Sequence, residues 1–407
     1  LEAIHLKHTT TLNETDIALS SSKSESNRAL IIQALSENPI ELHNLSDARD
    51  TQTMMRLLKS DEETWDVLDA GTTMRFLCAY AAVGTQTKIL TGTPRMQQRP
   101  VKILASALKS LGAKVTYLKK DGYPPLEIKP IKTQKTNNLS IKGDVSSQYI
   151  SALLMIAPTL SEGLNLKLTG KVGSKPYIQM TLDLMSRFGI ESDWTGNRIE
   201  IKPQAYQSGN YTIESDWSAS SYWYSLVSLS QQAKIKLLGL RSRSMQGDTA
   251  IVRIMNSLGV MSAFEDDGVI LQKIPEQREL SFDFTDCPDL AQTIAVVCAV
   301  KKIPCRMSGL ESLRIKETDR IAALKKELKK FKAKLKEVEP GVWEVKSKFE
   351  TQSEPVEIDT YEDHRMAMAF APLCTQQDLI IKDPSVVNKS YPGYWDHLKQ
   401  AGIEIQE

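Results

Sequence analysis

A helix stop, then a strand, a turn and a second strand, recurs along this chain every 70 to 77 residues. The stops are Gly112, Gly189, Gly259, Lys332 and Gly402. An apolar stretch precedes each stop, as at 101–111, 180–188, 251–258 and 323–331. Behind the stops lie strand pairs broken by Asp121-Gly122, Gly196-Asn197, Asp267-Gly268 and Pro340-Gly341. Glycine after a helix supplies the left-handed residue that ends it, and Asp-Gly or Pro-Gly turns a hairpin. A fixed period of this size marks a repeated supersecondary unit. Counting back from Gly112 places a further module near Lys59, whose helix at 53–58 is followed by no hairpin before Ala70-Gly71. The chain therefore reads as six modules, the first truncated, which make two domains of three modules each. Its 407 residues are enough for two domains.

Each module also opens an apolar helix on a polar cluster. In order these are 22–28 (SKSESNR), 70–75 (AGTTMR), 146–148 (SSQ), 216–221 (DWSASS), 286–289 (DCPD) and 363–365 (DHR). The helices behind them, such as 149–157 and 293–300, are apolar on every face, so they are buried all round. Capping alone accounts for one such cluster. Six in register with a repeat point to a shared ligand cleft, because helix N-termini offer free N–H groups and partial positive charge to anions. Arg95 and Arg99 lie in a Pro-flanked segment that reads as extended, and Lys316 and Arg320 stand i, i+4 apart, as on one helix face. Guanidinium forks of this kind bind carboxylate and phosphate bidentately.

Composition excludes other classes. The apolar share is 41%, the charged share 25% and the net charge +1, which gives no bulk affinity for nucleic acid or anionic membrane. No apolar run reaches bilayer length and no signal peptide is visible. The five cysteines form no CxxC pair, and the five histidines have no metal-ligand spacing. They read as the buried thiols and ordinary histidines of a cytoplasmic protein without a metal. No phosphate-binding G-x-x-x-x-G-K-[ST] loop and no G-x-G-x-x-G after a strand occur.

Eight motifs in order resemble those of the enolpyruvyl transferases of the shikimate pathway. They are Ser22-Lys23-Ser24-x-Ser26-Asn27-Arg28, Ala70-Gly71-Thr72-Thr73-Met74-Arg75, Pro94-Arg95-Met96-x-x-Arg99-Pro100, Gly143-x-Val145-Ser146-Ser147-Gln148-Tyr149, Ser174-Lys175-Pro176-Tyr177, Ser244-Met245-Gln246-Gly247-Asp248, Arg314-x-Lys316-Glu317-Thr318-Asp319-Arg320 and Asp363-His364-Arg365. The resemblance spans 19–389. It implies an α/β (α+β) fold, a two-domain inside-out α/β barrel, each domain built from three βαβαββ modules around buried helices whose starts face an interdomain cleft. One domain is inserted at 19–213, and the other is made of 1–18 and 214–407. The reaction implied is transfer of the enolpyruvyl group of phosphoenolpyruvate to the 5-hydroxyl of shikimate 3-phosphate, without cofactor, by a monomer.

Roles carry over residue by residue as implications of the resemblance. Ser146, Ser147 and Ser174 seat the shikimate phosphate, with Ser312 in place of a family Asn. Ser24 and Arg28 meet the shikimate carboxylate, Tyr177 packs on its ring, and Gln148 touches both substrates. Lys23, Gly71, Arg95, Arg320, Arg365 and Lys389 hold phosphoenolpyruvate. Asp289 and Lys316 stand at the reacting hydroxyl, and either Glu317 or Lys23 protonates the methylene carbon. The related cell-wall transferases carry a Cys where this chain has 93–96 (TPRM) and lack the 146–148 seat. Departures are Ser20-Ser21 for Pro-Gly, Asp69 for Asn and Phe76 for Pro. Asp69 puts a negative charge beside the phosphoenolpyruvate residues, and with Phe76 implies an altered response to the mimic glyphosate.

Overall fold

The computed structural model describes residues 2–144 and 146–407. Leu1, and Val145 of the motif at 143–149, lie outside the described residues. The chain divides into two compact units, Ser22–Ile213 and the chain up to Ser21 together with Glu214–Glu407.

In the inserted unit, helices α1 (Lys23–Leu35), α3 (Gly71–Val83) and α5 (Ser147–Ile156) pack on one another, while α2 (Arg49–Leu58), α4 (Lys102–Leu111) and α6 (Lys175–Arg187) lie outside them. The division follows from sequence. On α5 every described position but Gln148 is buried, whereas α4 buries only Leu104, Ala105, Ala107, Leu108 and Leu111, one stripe at helical spacing. The other unit repeats the plan. Its α7 (Trp217–Leu229), α9 (Ala291–Lys301) and α11 (His364–Phe370) are inner helices, and α8 (Ala250–Ser257), α10 (Arg320–Lys330) and α12 (Tyr394–Gln400) are outer ones. On α9, all residues from Ala291 to Val300 are buried. Each Ile or Val there contributes about 1.5–3 kcal/mol by leaving water.

Among the described residues, five sheets share one design, a parallel pair extended by an antiparallel pair. One has the order Thr64–Asp66, Lys88–Thr91, Leu126–Lys129, Lys114–Tyr117. The sixth has only two parallel strands, Ile40–His43 and Gly209–Thr212, which is the truncated first module. The last sheet borrows its second hairpin strand from the chain start, since Ala3–Leu6 lies between Leu379–Lys382 and Ile405–Gln406.

All five repeat stops have positive φ, with Gly112 at 119°, Gly189 at 80°, Gly259 at 94°, Lys332 at 56° and Gly402 at 95°. The period in the sequence is thus a period in backbone geometry. Lys332 does with a side chain what glycine does elsewhere, at a cost of about 1 kcal/mol. All five cysteines are buried free thiols.

Two sequence expectations fail locally. The 94–100 segment is not extended: Met96–Gln98 forms a 3-10 turn, with Arg95 at φ −67°, ψ −42°. Proline suits the entry to a helical turn, and the Thr93 hydroxyl accepts from the Met96 amide to start it. Lys316 does not share a helix with Arg320. Asp319 caps α10, its side chain accepting from the Ala322 amide, so Arg320 is the first helical residue and Lys316 lies in the preceding loop.

Candidate active site

All six polar clusters sit at the starts of inner helices. In the inserted unit, Ser22 caps α1 and Ser146 caps α5, each accepting from an amide two or three residues on. Gln148 donates to the Thr72 hydroxyl at 2.9 Å, which ties the start of α5 to that of α3. The strands Asn138–Lys142 and Leu164–Thr169 run parallel and end together, and the Gly173 amide donates to the Gly143 carbonyl at 3.0 Å. Ser146 and Ser147 therefore lie beside the loop bearing Ser174, which is itself in the left-handed conformation at φ 53°.

Arg28 is fully buried and its fork is already in use. It donates to the Thr181 hydroxyl (2.8 Å), the Ser24 carbonyl (2.9 Å), the Ser151 hydroxyl (3.1 Å) and the Tyr177 carbonyl (3.3 Å). The structure thus brings Ser24, Arg28 and Tyr177 together. Burial lowers the guanidinium to about 10, against the pull of Tyr177 and Glu25. The Phe76 ring lies 5.3 Å from its central carbon.

Two more guanidinium groups crowd Gly71. A Cβ there would lie 2.7 Å from nitrogens of both Arg75 and Arg99, so only glycine lets them close on the backbone. Arg75 is lowered to about 10 by burial and then by Arg99. Lys23 reaches Asp50 at 3.1 Å, and Arg95, half-buried, donates to Gln98 at 3.4 Å.

In the other unit one carboxylate gathers the cations. Asp289 lies in the turn Pro288–Leu290 that leads into α9. It accepts from Arg320 at 2.9 Å and from Arg365 at 2.9 Å, with the Lys316 ammonium 3.8 Å away. Arg320 in turn holds Glu317 at 2.8 Å and the buried Asp363 at 2.7 Å. Asp363 also caps α11 by accepting from the backbone amide of Arg365 at 2.8 Å, so one carboxylate holds the Arg320 guanidinium and starts the helix that carries Arg365. Burial raises the proton affinity of Asp289, but Arg365, Lys316 and Arg320 outweigh it and hold the group well below the usual carboxylate range. Asp289 favours the charged form of Lys316, yet burial and Arg320 leave that amine below an ordinary lysine. Lys389 ends the 3-10 turn Pro384–Lys389 and is buried, and Ser312 is half-buried in the turn Glu311–Ile315.

The ten site residues expected between 23 and 177 thus fall in the inserted unit and the seven from 289 to 389 in the other. Sequence reasoning missed Asp50, Asp363 as the clamp on Arg320, and the pair Ser218–Asp248. Asp363 and Asp248 stood in recognised motifs, whereas Asp50 carried no signal. Among the described residues no His, Cys, Asp or Glu cluster could hold a metal ion, and no helix is long and apolar enough to cross a membrane.

Comparison with known proteins shows the family and the fold. The profile of the family "EPSP synthase (3-phosphoshikimate 1-carboxyvinyltransferase)" matches residues 8–64 and 60–398. The 3-phosphoshikimate 1-carboxyvinyltransferase of Bacteroides fragilis (strain ATCC 25285) is 49% identical over 96% of both chains. That of Sulfurovum sp. (strain NBC37-1) is 35% identical, covering 95% of this chain and 96% of its own. The solved EPSP synthase of Acinetobacter baumannii shares the fold across the whole of both chains, with a TM-score of 0.80 at 18% identity. On the extent of the family match and the identity to these relatives, the chain belongs to the EPSP synthase family.

Proposed function

We infer that the chain transfers the enolpyruvyl group of phosphoenolpyruvate to the 5-hydroxyl of shikimate 3-phosphate and releases inorganic phosphate. The observation that carries this reading is the Asp289 carboxylate gripped by Arg320, Arg365 and Lys316. A carboxylate held that far down is a poor base while its cations stay on it. A trianionic substrate competes for the same guanidinium groups. As phosphoenolpyruvate draws Arg320 and Arg365 towards itself, Asp289 loses the charges that depress it and its proton affinity climbs towards the working range of a general base. Substrate binding and base activation are then one event.

The atoms balance in two steps. The shikimate oxygen attacks C2 of phosphoenolpyruvate, its proton passes to Asp289, and C3 takes a proton from an acid, giving a tetrahedral phospho-adduct. Loss of a proton from C3 then expels phosphate and restores the double bond. Two acids are available for C3. Glu317 is held by Arg320 at 2.8 Å, and Lys23 by Asp50 at 3.1 Å.

For the acceptor, Ser146, Ser147 and Ser174 take the shikimate 3-phosphate group, with Gln148 adjoining. Ser24 and Arg28 take the carboxylate, Tyr177 the ring, Ser312 joins the phosphate seat, and Lys316 stands with Asp289 at the reacting hydroxyl. Lys23, Gly71, Arg95, Gln148, Arg320, Arg365 and Lys389 take phosphoenolpyruvate. Supporting this division, Arg28 is pre-set by four neutral acceptors, and at Gly71 two buried guanidinium groups close on the backbone. The test is phosphate release. It is expected only with both substrates present, and well-folded protein that releases none refutes the reading.

A further inference from the structure

One recognised motif has no part in that scheme, the 244–248 stretch (SMQGD). Glu214 pins it to the start of α7. Its carboxylate accepts from the Ser244 hydroxyl (2.5 Å), the Arg241 amide (2.8 Å), the Trp217 indole (2.9 Å) and Gln246 (3.3 Å). Gln246 accepts from the Trp217 amide at 3.0 Å and donates to the Ser215 carbonyl at 2.8 Å. The loop so fixed sets Asp248, 2% exposed, against the first turn of α7, where the Ser218 hydroxyl donates to it. That same hydroxyl oxygen receives Arg365 at 3.5 Å, and Arg365 also donates to the Tyr222 hydroxyl at 3.1 Å and to Asp289 at 2.9 Å.

We propose that Asp248 is a positioning residue for Arg365, acting through the orientation of the Ser218 hydroxyl. A hydroxyl has one hydrogen and two lone pairs. Ionised Asp248 takes the hydrogen, so the lone pairs face the guanidinium. Protonated Asp248 donates to the Ser218 oxygen instead, and the hydroxyl hydrogen is released towards a cation. The difference matters most when phosphoenolpyruvate draws Arg365 from Asp289, because the Ser218 and Tyr222 hydroxyls are then among the contacts that keep its plane. This rests on the assignment of Arg365 to phosphoenolpyruvate made above.

The switch falls within the range of ordinary assays. Burial and Asp289 raise the Asp248 carboxyl, with Asp216 adding to them, while Arg365 and Ser218 lower it, and the balance lies at about 6. The groups facing it are Asp216 and Ser218 from α7, Cys287 and Asp289 from the segment before α9, and Arg365 from α11.

The test measures phosphoenolpyruvate affinity by calorimetry from pH 5 to 8, in the presence of a shikimate 3-phosphate analogue that lacks the 5-hydroxyl and so cannot react, for the wild type, Asp248→Asn and Ser218→Ala. Turnover is measured separately. Loss of one long contact, on the scale of an ordinary net hydrogen bond, weakens phosphoenolpyruvate binding about 2- to 12-fold at pH 7.5 in either variant. Shikimate 3-phosphate affinity stays unchanged. The part of the wild-type step in phosphoenolpyruvate affinity near pH 6 that exceeds the titration of the substrate phosphate itself is lost in Asp248→Asn, and combining the substitutions adds nothing. Unchanged phosphoenolpyruvate affinity in Ser218→Ala overturns the proposal even if Asp248→Asn does not fold. A wild type that binds both substrates without releasing phosphate refutes the enolpyruvyl-transfer reading instead, and leaves the affinity comparison to decide this one.

Discussion

Replacing Arg320 by Gln removes the one side chain that three carboxylates share. Asp363, Asp289 and Glu317 approach its nitrogens at 2.7, 2.9 and 2.8 Å, and the guanidinium is 2% exposed. Glutamine keeps most of the volume and one donor group but no charge. Breaking a buried pair from one side costs about 3–5 kcal/mol. For a unit of about 200 residues each kcal/mol moves the melting temperature by about 2–4 °C, so the expected fall is about 6–20 °C at pH 7. The pH dependence identifies the cause. In the wild type Asp289 is depressed, so its contribution is present above the unfolded value of about 4 and is lost as pH falls. In the variant Asp289 loses one of the cations that depress it, so less of this contribution is there to be lost. The variant therefore loses less stability than the wild type as pH falls from 5 to 3, and the gap between their melting curves narrows. Circular dichroism melts at the two pH values measure this. A gap that is the same at both would refute the charge argument, and one of about 2 °C or less would refute its magnitude. Arg320→Lys restores charge without the planar fork, so it recovers part of the stability and little of the turnover.

Two further substitutions address the chemistry. Asp289→Ala lowers turnover about 10²- to 10⁴-fold on the scale of a lost acid–base group, while shikimate 3-phosphate still binds; rapid-quench measurement of phosphate release reads this, and wild-type turnover would remove Asp289 from the mechanism. Phe76→Leu keeps an apolar side chain under Arg28 but removes the ring face 5.3 Å from its charge, an interaction of about 0.5–2 kcal/mol. The KM for shikimate 3-phosphate then rises about 2- to 30-fold at constant KM for phosphoenolpyruvate, and a uniform effect on both would show that Phe76 does not act through Arg28.

The repeat was readable because its signals are local. A left-handed stop and a hairpin turn each need particular residues at particular places, and these recur at Gly112, Gly189, Gly259 and Gly402. Inner and outer helices were likewise separable by whether apolar residues cover every face, as on α9, or one stripe, as on α4. What one sequence could not give is who closes a sheet. Ala3–Leu6 inserts between Leu379–Lys382 and Ile405–Gln406 from almost the far end of the chain, and no local pattern encodes that partner. At the site, residue types were legible and their pairings were not. Lys316 and Arg320 suggested a shared helix face at i, i+4, yet they converge on Asp289 from a loop and a helix start, because the cap at Asp319 falls between them.

Asp69 shows how such a pairing changes a functional argument. In sequence it is a bare negative charge two residues before Gly71, and so a cost to anion binding. In the structure one nitrogen of Arg49 lies 2.9 Å from both of its oxygens. Arg49 opens α2, twenty residues earlier, and nothing in the sequence marks it as a partner. With Arg49 46% exposed and Asp69 27% exposed, the pair adds only about 0.2–1 kcal/mol to stability. Its effect on the local field is larger in consequence, since together the two residues contribute almost no net charge near Gly71. The substitution that exposes the charge is therefore Arg49→Ala. It should raise the KM for phosphoenolpyruvate about 2- to 5-fold at low ionic strength, and the rise should shrink as salt shortens the screening length to about 8 Å at physiological strength. Asp69→Asn in the Arg49→Ala background removes the exposed charge and should return KM to the wild-type value. If Arg49→Ala has no effect in dilute buffer, or if Asp69→Asn fails to reverse it, Asp69 acts on phosphoenolpyruvate binding by something other than its charge.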